Sequence, residues 1–240
     1  MKQLLIKEFR LALHPMNVLF LLMSAMLMIP NYPYYITFFY TTLGIFFMCL
    51  FGRENKDIDY TLLLPVGRRQ LVRARMITTV IIELIQVALC IPFAVWSRME
   101  YIRQAAETAG IDRLAAVFTD GEMNLTMMKM YYLGVPNVAF FGFSFVMLGI
   151  FNAVFFILYY RNPSRVGVTF VWASVAEAVF VALTLFGMMK NFGFFSLLRS
   201  VDPEQLTAKL IVLAIGVTCF AALTVISCRV SEREFEKIDL

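Results

Sequence analysis

Apolar segments long enough to cross a lipid bilayer recur along this 240-residue chain and constrain its fold more than any other feature. A membrane-spanning helix needs roughly 20 mostly apolar residues. Segments that reach or approach this length lie at residues 18–29, 34–51, 76–96, 138–160, 166–189 and 210–227. Hydrophobic residues make up 60% of the chain and charged residues only 16%, against about 25% charged residues in soluble domains. The sequence therefore predicts an all-α polytopic membrane protein with six transmembrane helices, or five if the short first segment does not cross.

The positions of the basic residues predict how the chain is oriented in the membrane. Cytoplasmic loops are rich in Lys and Arg, and with a cytoplasmic N-terminus about two thirds of the 21 Lys and Arg residues lie on that side. Both termini are therefore predicted to be cytoplasmic. Residues 1–14 are predicted to form an amphipathic helix in the inner interface, because one face collects the polar side chains Gln3, Lys7, Arg10 and His14, which would meet lipid headgroups.

The sequence gives no indication of a metal site, a disulfide framework or nucleic acid binding. The four cysteines form no C-x-x-C pair and the chain has a single histidine, so neither a zinc site nor a disulfide framework is indicated. The net charge of +4 gives no indication of nucleic acid binding. The chain also lacks the phosphate-binding pattern G-x-x-x-x-G-K-[ST], so it is predicted to have no ATPase site and no cofactor of its own.

The connection between the second and third apolar segments, residues 52–75, is longer than adjacent helices require, and loops of this length are often functional. Its acidic residues precede its arginines, and Pro65 and Gly67 predict a helix, a break and a second helix. Residues 62–64 are three leucines, too apolar to leave in water, so we expect something to cover them. Two alternatives are open: the leucines bind a partner protein, or they tuck against the membrane while the arginines only fix the topology.

Residues 57–75, DIDYTLLLPVGRRQLVRAR, resemble the intracellular segment of bacterial type-2 ABC exporter permeases. In that family an acidic stretch precedes a leucine pair, a Leu-Pro-Val-Ser-Arg core follows, and an aliphatic pair, a small residue and a cation lead into the third span. Gly67 stands where the family usually has serine, and glycine is also acceptable as a helix N-cap. The interfacial helix, the six spans and the cytoplasmic tail resemble the same family, so the likeness covers nearly the whole chain.

The resemblance implies a type V ABC exporter-like fold and a mechanical role. The segment at 52–75 would contain a coupling helix that binds a separate cytoplasmic ABC ATPase subunit, which holds ATP and Mg. By position, the ATPase contacts would be Glu54, Asp57, Leu63, Leu64, Pro65, Arg68 and Arg69. The chain itself would not be an enzyme. It would be a permease of the bacterial inner membrane, paired with a second permease subunit, and it would export an amphipathic substrate, with a peptide favoured over a sugar or an ion.

Two acidic residues, Glu83 and Glu177, lie inside predicted spans. A rise of about 1.5 Å per residue places them and Asn152 at similar depth, and Gln86 shares the helical face of Glu83. These four residues either line a translocation path or form hydrogen bonds at a helix seam. The alternative function is a proton-coupled secondary transporter that uses Glu83 and Glu177, although the spacing of the spans shows no internal repeat. An intramembrane enzyme is less well supported, because no His pair is present.

The whole chain is predicted to form one permease domain. Its predicted parts are an interfacial helix (1–14), two spans (18–51), a cytoplasmic coupling segment (52–75), the third span (76–96), an outer loop (97–137), the fourth and fifth spans (138–189), an outer re-entrant segment (190–209), the sixth span (210–227) and a cytoplasmic tail (228–240). Two short amphipathic helices are expected in the outer loop. The tail is expected to be a solvated helix end, with a docking peptide as the alternative, and Phe235 is expected to be exposed.

Overall fold

The computed structural model is all-helical throughout the residues that it describes, which are 2–12, 15–29, 32–115, 136–190, 192–198 and 205–238. In this part of the chain the α-helices are α1 (Lys2–Ala12), α2 (Pro15–Leu22), α3 (Ile36–Glu54), α4 (Asp57–Leu62), α5 (Arg68–Ala115), α6 (Val138–Arg161), α7 (Val166–Met189) and α8 (Leu206–Glu236). Short 3-10 helices lie at Met23–Met28, Pro163–Arg165 and Gly193–Leu198.

Five helices are long and apolar enough to cross a membrane. They are α3, the part of α5 up to Glu100, α6, α7 together with the 3-10 turn before it, and α8. A sixth span is present if Lys2–Arg10 and Pro15–Met28, which are bent by 76° relative to each other, are counted as one. The prediction of an all-helical, multi-pass membrane protein is therefore confirmed, with five to six spans.

Contacts at the two ends of the bundle show that the chain traverses it before α3 begins. Glu8 on α1 pairs with Arg75 near the start of α5, and Tyr159 near the end of α6 contacts the same arginine. Tyr35, which precedes α3, packs instead on Phe140 near the start of α6, roughly 30 Å along that helix. The 3-10 helix before α3 rises about 2 Å per residue, which lengthens the short traversing segment towards bilayer thickness.

Helix α6 forms the centre of the bundle. In the most apolar 18-residue stretch of each helix, 61% of α6 is buried, compared with 22% of α7 and 28% of α8. Phe151, Phe155 and Tyr159 lie one turn apart along α6 and stack on one another. Gly142 and Gly216 bring the backbones of α6 and α8 into contact, because a Cβ atom on Gly216 would overlap the Gly142 carbonyl. Small residues allow this close approach between membrane helices.

One end of the bundle, which we call the charged end, collects α1, α4, the first turns of α5, the α6–α7 connection and the last turns of α8. Lys7 on α1 pairs with Asp57 on α4, and Arg69 on α5 pairs with Glu236 on α8. Because α1 and the end of α8 meet at this end, they lie on the same side of the bundle. That arrangement requires an even number of crossings between them.

The outer loop differs from its prediction. Helix α5 runs without interruption from the third span to Ala115, so the short amphipathic helix expected after residue 97 is a continuation of that span. Residues 97–109 contain neither Gly nor Pro and include several strong helix formers, which explains the continuity. The second helix expected in this loop lies outside the described residues. Helix α8 begins at Leu206, before the predicted start of the sixth span at 210.

Part of the predicted re-entrant segment at 190–209 packs against the bundle at the end opposite the charged end. Its 3-10 helix places Phe195 on Phe143 of α6, with the ring centroids 5.3 Å apart. The Asn137 side-chain amide donates a hydrogen bond of 2.9 Å to the carbonyl of Leu197. These contacts anchor the described part of the segment to the start of α6.

Candidate functional site

The leucine turn, defined as α4 and the turn after it (residues 57–67), has the helix–break–helix form that the sequence predicts. Leu63 is 82% exposed, and Leu64 and Tyr60 are 56% and 65% exposed. Pro65 in the turn is exposed as well. The chain leaves these apolar side chains uncovered, and contiguous exposed apolar residues commonly mark an interaction surface.

Two acidic residues predicted to contact an ATPase have different surroundings. Glu54, at the end of α3, is exposed next to the leucine turn. Asp57 is only 8% exposed, and its carboxylate pairs with Arg75 at 2.8 Å and with Lys7 at 2.6 Å. The side chain of Asp57 therefore belongs to the interior of the charged end, and its contact with a partner stays a prediction.

The two arginines predicted to contact an ATPase, Arg68 and Arg69, form contacts with the end of α8 in the same chain. Arg69 makes a two-pronged ion pair with Glu236, with N–O distances of 2.6 and 2.9 Å. One turn further along α5, Arg73 makes the same kind of pair with Glu232, at 2.6 and 3.2 Å. We call these two pairs the α5–α8 clasp. The geometry is the bidentate arrangement in which Arg–carboxylate pairs are strongest.

Arg68 completes this contact by capping the end of α8. Its Nη1 donates to the carbonyl oxygens of Phe235, Glu236 and Ile238 at 3.4, 3.2 and 2.6 Å. The last carbonyls of a helix lack partners within the helix and carry its negative dipole end, so a guanidinium stabilises them. Arg68 therefore has a structural role inside the chain that its predicted partner contact did not include.

Phe235 corrects the prediction of an exposed tail. It is fully buried, its ring packs on Tyr160 with centroids 5.2 Å apart, and the Arg68 guanidinium lies 5.9 Å from the ring centroid. The described part of the tail is a continuation of α8 that packs on its own chain. Up to residue 238 the tail is therefore a helix end that packs on its own chain along one face, while Arg233, Glu236 and Lys237 are exposed. A docking role for it stays a prediction.

A buried charge network lies beneath the leucine turn. Arg75 is 1% exposed at its side chain, and its guanidinium contacts Glu8 at 2.9 Å, Asp57 at 2.8 Å and the Tyr159 hydroxyl at 3.0 Å. Lys7 adds a second cation to Asp57 and also donates a hydrogen bond to Thr61. Two cations and two anions thus compensate each other, which buried charges require. The network joins α1, α4, α5 and α6.

Sequence reasoning missed this network because it gave Glu8 and Tyr159 no role and assigned the cations elsewhere. Lys7 was expected to face lipid headgroups, and Arg75 to be the cation that leads into the third span or one of the arginines that fix the topology; both instead pair with carboxylates of the same chain. One signal was available. Glu8 is the only acidic residue before Glu54, and it sits in a helix that is otherwise apolar and basic. An isolated acid in such a helix indicates a partner cation elsewhere in the fold.

The four intramembrane polar residues form a buried layer near the middle of the bundle. The Asn152 amide donates to Glu83 at 3.0 Å and to the Thr224 hydroxyl at 3.3 Å, and Thr42 donates to Glu177 at 3.2 Å. Glu83, Gln86, Asn152 and Glu177 are all fully buried. The structure therefore brings Glu83 and Asn152 together as their depths indicated, and it joins Glu177 to α3. The Gln86 amide lies 3.8 Å from the Cys90 sulfur on its own helix.

The polar layer is incompletely hydrogen-bonded within the described part of the chain. The second carboxyl oxygen of each glutamate and the side-chain carbonyl oxygens of Gln86 and Asn152 make no hydrogen bond to a described residue. The hydroxyls of Thr78 and Thr79 on α5 and of Ser174 on α7 likewise make no hydrogen bond to a described residue. A layer that served only to lock helices together would satisfy these groups. These acceptors are available to water or to a substrate, and the choice between a translocation path and a helix seam stays a prediction.

We expect Glu83→Gln to fold normally and Glu83→Leu to be destabilised. Glutamine keeps an oxygen that accepts from Asn152, so its unfolding free energy should change by less than about 1 kcal/mol, whereas leucine removes the acceptor and should cost about 1–3 kcal/mol. Thermal unfolding of the purified chain in detergent, followed by tryptophan fluorescence, measures both. Equal stability of the two variants would contradict a structural role for the Asn152–Glu83 hydrogen bond. Loss of transport by a stably folded Glu83→Gln chain would favour the translocation path over the helix seam.

No family model, curated protein or solved structure matches the chain. Among the described residues no group of His, Cys, Asp and Glu side chains is arranged to hold a metal ion, and all four cysteines are free. The fold and the site together define a multi-pass, all-helical membrane protein. Its distinguishing parts are an exposed leucine turn, a buried charge network below it and a polar layer inside the bundle.

Proposed function

We propose that the chain is the membrane-spanning permease subunit of an ATP-driven exporter with a type V ABC exporter-like fold. A separate cytoplasmic ATPase, which holds ATP and Mg, supplies the energy, and this chain performs no chemistry. The charged end faces the cytoplasm of a bacterial cell, as the distribution of Lys and Arg predicts. The resemblance of residues 57–75 to the coupling segment of such permeases supports an ABC ATPase as the class of partner.

The observation that carries the proposal is the exposure of the leucine turn at the charged end. Leu63 and Leu64 protrude, with Glu54 and Arg69 of opposite charge exposed on either side of them in the sequence. Burying apolar side chains supplies most of the affinity of such a contact, while flanking charges set register and partner choice. Tucking the leucines against the membrane is less consistent with α4, whose remaining exposed residues include Asp59.

The contacts beneath the leucine turn give a route by which an ATPase moves the bundle. A displacement of α4 acts through Asp57 on Arg75, and Arg75 lies in the first turns of the 48-residue helix α5. Arg75 also holds Glu8 of α1 and Tyr159 of α6. A force applied at the turn would therefore reach α1, α5 and α6 through buried charged side chains, whose separation from their partners is costly.

A second permease subunit completes the pathway in this proposal. Exposed apolar side chains run along α7 at helical spacing, and lipid or a second copy covers them: Val168, Val171, Trp172, Val175 and Val179. The polar layer would then lie beside the route of an amphipathic substrate, with a peptide as the favoured class. Glu83 on α5 and Asn152 on α6 are hydrogen-bonded to each other across the polar layer. Tilting of α5 against α6 would separate these side chains and so open the route, and the reverse movement would close it.

Proton-coupled secondary transport is the second candidate function. The observation in its favour is the presence of two fully buried glutamates, each with one carboxyl oxygen that accepts no hydrogen bond from a described residue. Intramembrane carboxyl groups of this kind commonly carry protons. Transport driven by a pH gradient in liposomes that contain this chain alone would support this candidate and would contradict the ATP-driven one.

We expect the double variant Leu63→Glu/Leu64→Glu to lose the partner ATPase while it stays folded. Each buried leucine contributes about 1.5–3 kcal/mol, so the two charges should weaken binding by well over tenfold. The tagged full-length chain is purified from its native membranes, and ATP hydrolysis in the eluate is measured. The control is Leu63→Met/Leu64→Met, which conserves volume and apolar character and should retain the ATPase. Equal ATPase recovery with the Glu and Met variants would overturn the proposal.

A further inference from the structure

A groove of about 460 Å³ lies between α5 and α8, and the proposed function assigns it no ligand. Its walls are aliphatic and include Ile77, Val80 and Val225, of which Ile77 is 41% and Val225 51% exposed. Its charged lining residues, Arg73, Arg229 and Glu232, all lie where the groove meets the charged end of the bundle. The groove is therefore apolar along its length and charged at its mouth. A cavity of this size is typical of a site for a small molecule or a lipid chain.

The charged mouth of the groove has a net positive charge. Arg73 and Glu232 neutralise each other in the α5–α8 clasp, and the side chain of Glu232 is only 10% exposed. Arg229 is exposed and forms no ion pair with any described residue. The Arg73 side chain is 52% exposed, so part of its guanidinium also remains accessible. The mouth therefore exposes the guanidinium groups of Arg73 and Arg229, while the Glu232 carboxylate is mostly covered.

The position of these arginines matches the boundary of a bilayer. Arg73 precedes the apolar run of α5 that begins at Met76, and Arg229 follows the apolar run of α8 that ends at Cys228. Basic residues at the ends of membrane helices lie at the depth of lipid headgroups. The aliphatic walls therefore lie at the depth of acyl chains, and the arginines lie at the depth of phosphate groups.

We propose that this groove is a binding site for one anionic phospholipid. Its phosphate pairs with Arg229 and with the exposed edge of Arg73, and an acyl chain lies against Ile77, Val80 and Val225. A second copy of the chain is a poorer occupant, because a symmetric contact through this groove would place Arg229 beside its own copy. The inference requires only that the chain is embedded in a membrane, and it does not depend on an ATPase partner.

Lipid binding here is expected to strengthen the contact between α5 and α8. The lipid touches both helices next to the clasp, and any ligand that binds only the folded state raises its stability by mass action. The lipid would thereby reinforce the joint at which α8 meets the first turns of α5. Anionic lipids are concentrated in the cytoplasmic leaflet, which is where the proposed topology places this groove.

The test uses the full-length chain purified in an uncharged detergent. Phosphatidylglycerol, phosphatidylcholine with the same acyl chains, or inorganic phosphate is added, and the melting temperature and native mass spectrum are recorded. Phosphatidylglycerol should raise the melting temperature by several degrees and appear as one bound molecule per chain, while the other two additives have little effect. Equal shifts with both lipids, or a full shift with inorganic phosphate, would overturn the proposal.

A matched pair of variants assigns the effect to the groove. Arg229→Gln should weaken phosphatidylglycerol binding about tenfold, since one charge-assisted contact is lost, and it should leave the lipid-free melting temperature unchanged because Arg229 is exposed. Arg233→Gln is the control, because Arg233 is exposed one turn further along α8 and does not line the groove. Equal weakening of lipid binding by both substitutions would indicate an effect of general surface charge and would contradict a defined site. The proposal would also be contradicted if Arg229→Gln dissociated a dimer of the chain and left lipid binding unchanged.

Discussion

Replacing Arg75 with alanine is expected to lower the free energy of unfolding by about 3–5 kcal/mol, a large share of the roughly 5–15 kcal/mol by which ordinary proteins are stable. The arginine is buried to 1% exposure and is the shared partner of Glu8, Asp57 and the Tyr159 hydroxyl. Its removal leaves the Glu8 carboxylate buried without a strong counter-charge, since Lys7 approaches it only at 3.7 Å. An uncompensated buried charge is among the most destabilising changes that a single substitution makes.

Thermal unfolding and size-exclusion chromatography of the detergent-purified chain measure this loss. The matched control is Arg69→Ala, which removes an arginine of the same helix from an ion pair whose side chains are 58% and 41% exposed. Solvent screens that exposed pair, so Arg69→Ala should melt close to the wild-type temperature. A melting temperature for Arg75→Ala as high as that of Arg69→Ala would contradict the network.

A compensating variant restores the charge balance and keeps most of the side-chain volume. The double substitution Glu8→Met/Arg75→Met removes one anion and one cation together and leaves Asp57 paired with Lys7 at 2.6 Å. Neutral replacement of a buried pair is often tolerated, so the double variant should be more stable than Arg75→Ala. If the double variant is less stable than Arg75→Ala, the network contributes more through hydrogen-bond geometry than through charge balance.

Hydropathy predicted most of the fold because the property that drives helices into a membrane is local in sequence. The segment at 138–160 corresponds to Val138–Arg161, and the segment at 166–189 coincides with Val166–Met189. Hydropathy does not predict where a helix ends once it has left the membrane. Helix α5 continues to Ala115 because nothing in the sequence stops it, although its last residues are too polar for a span.

The candidate site was predictable only where depth could be counted along a helix. Counting placed Glu83 near Asn152, and the two side chains are hydrogen-bonded. The charge network depends on pairs far apart in sequence, such as Glu8 and Arg75, which are 67 residues apart. A sequence offers many such opposite-charge pairs, and hydropathy does not choose among them. The role of the leucine turn as an ATPase contact stays a prediction, as does the role of the polar layer.

The charged end acts as one mechanical unit because its arginines engage three different segments. Arg75 holds α1 and α4, Arg69 and Arg73 hold the side chains of α8, and Arg68 caps its last carbonyls. All four arginines lie within the first turns of α5. The exposed leucines next to them are thus attached to helices that these contacts hold together, so under the proposed function a pull on this turn would act on α5.

Substituting Gly216 is expected to have the second large effect, because α6 and α8 touch through their backbones at this position. A Cβ atom on Gly216 would overlap the carbonyl of Gly142, and one on Gly142 would lie 2.7 Å from the Val212 carbonyl oxygen. Backbone atoms cannot swing aside as a side chain can, so the two helices must separate. We expect Gly216→Ala to cost at least about 1–3 kcal/mol, and Gly216→Leu to prevent the chain from folding.

Gly167→Ala is the matched control, since it makes the same change in the membrane helix α7 where a new Cβ atom meets nothing within 4 Å. Alanine favours a helix over glycine by about 0.5–1 kcal/mol, so this variant should melt at the wild-type temperature or slightly above it. The two substitutions therefore have opposite expected signs although their chemistry is identical, and melting curves of both in the same detergent decide the matter. A stable Gly216→Ala chain would mean that α6 and α8 are further apart than described. In that case the polar layer would be looser too, because Asn152 on α6 reaches Thr224 on α8 only while these helices stay in contact.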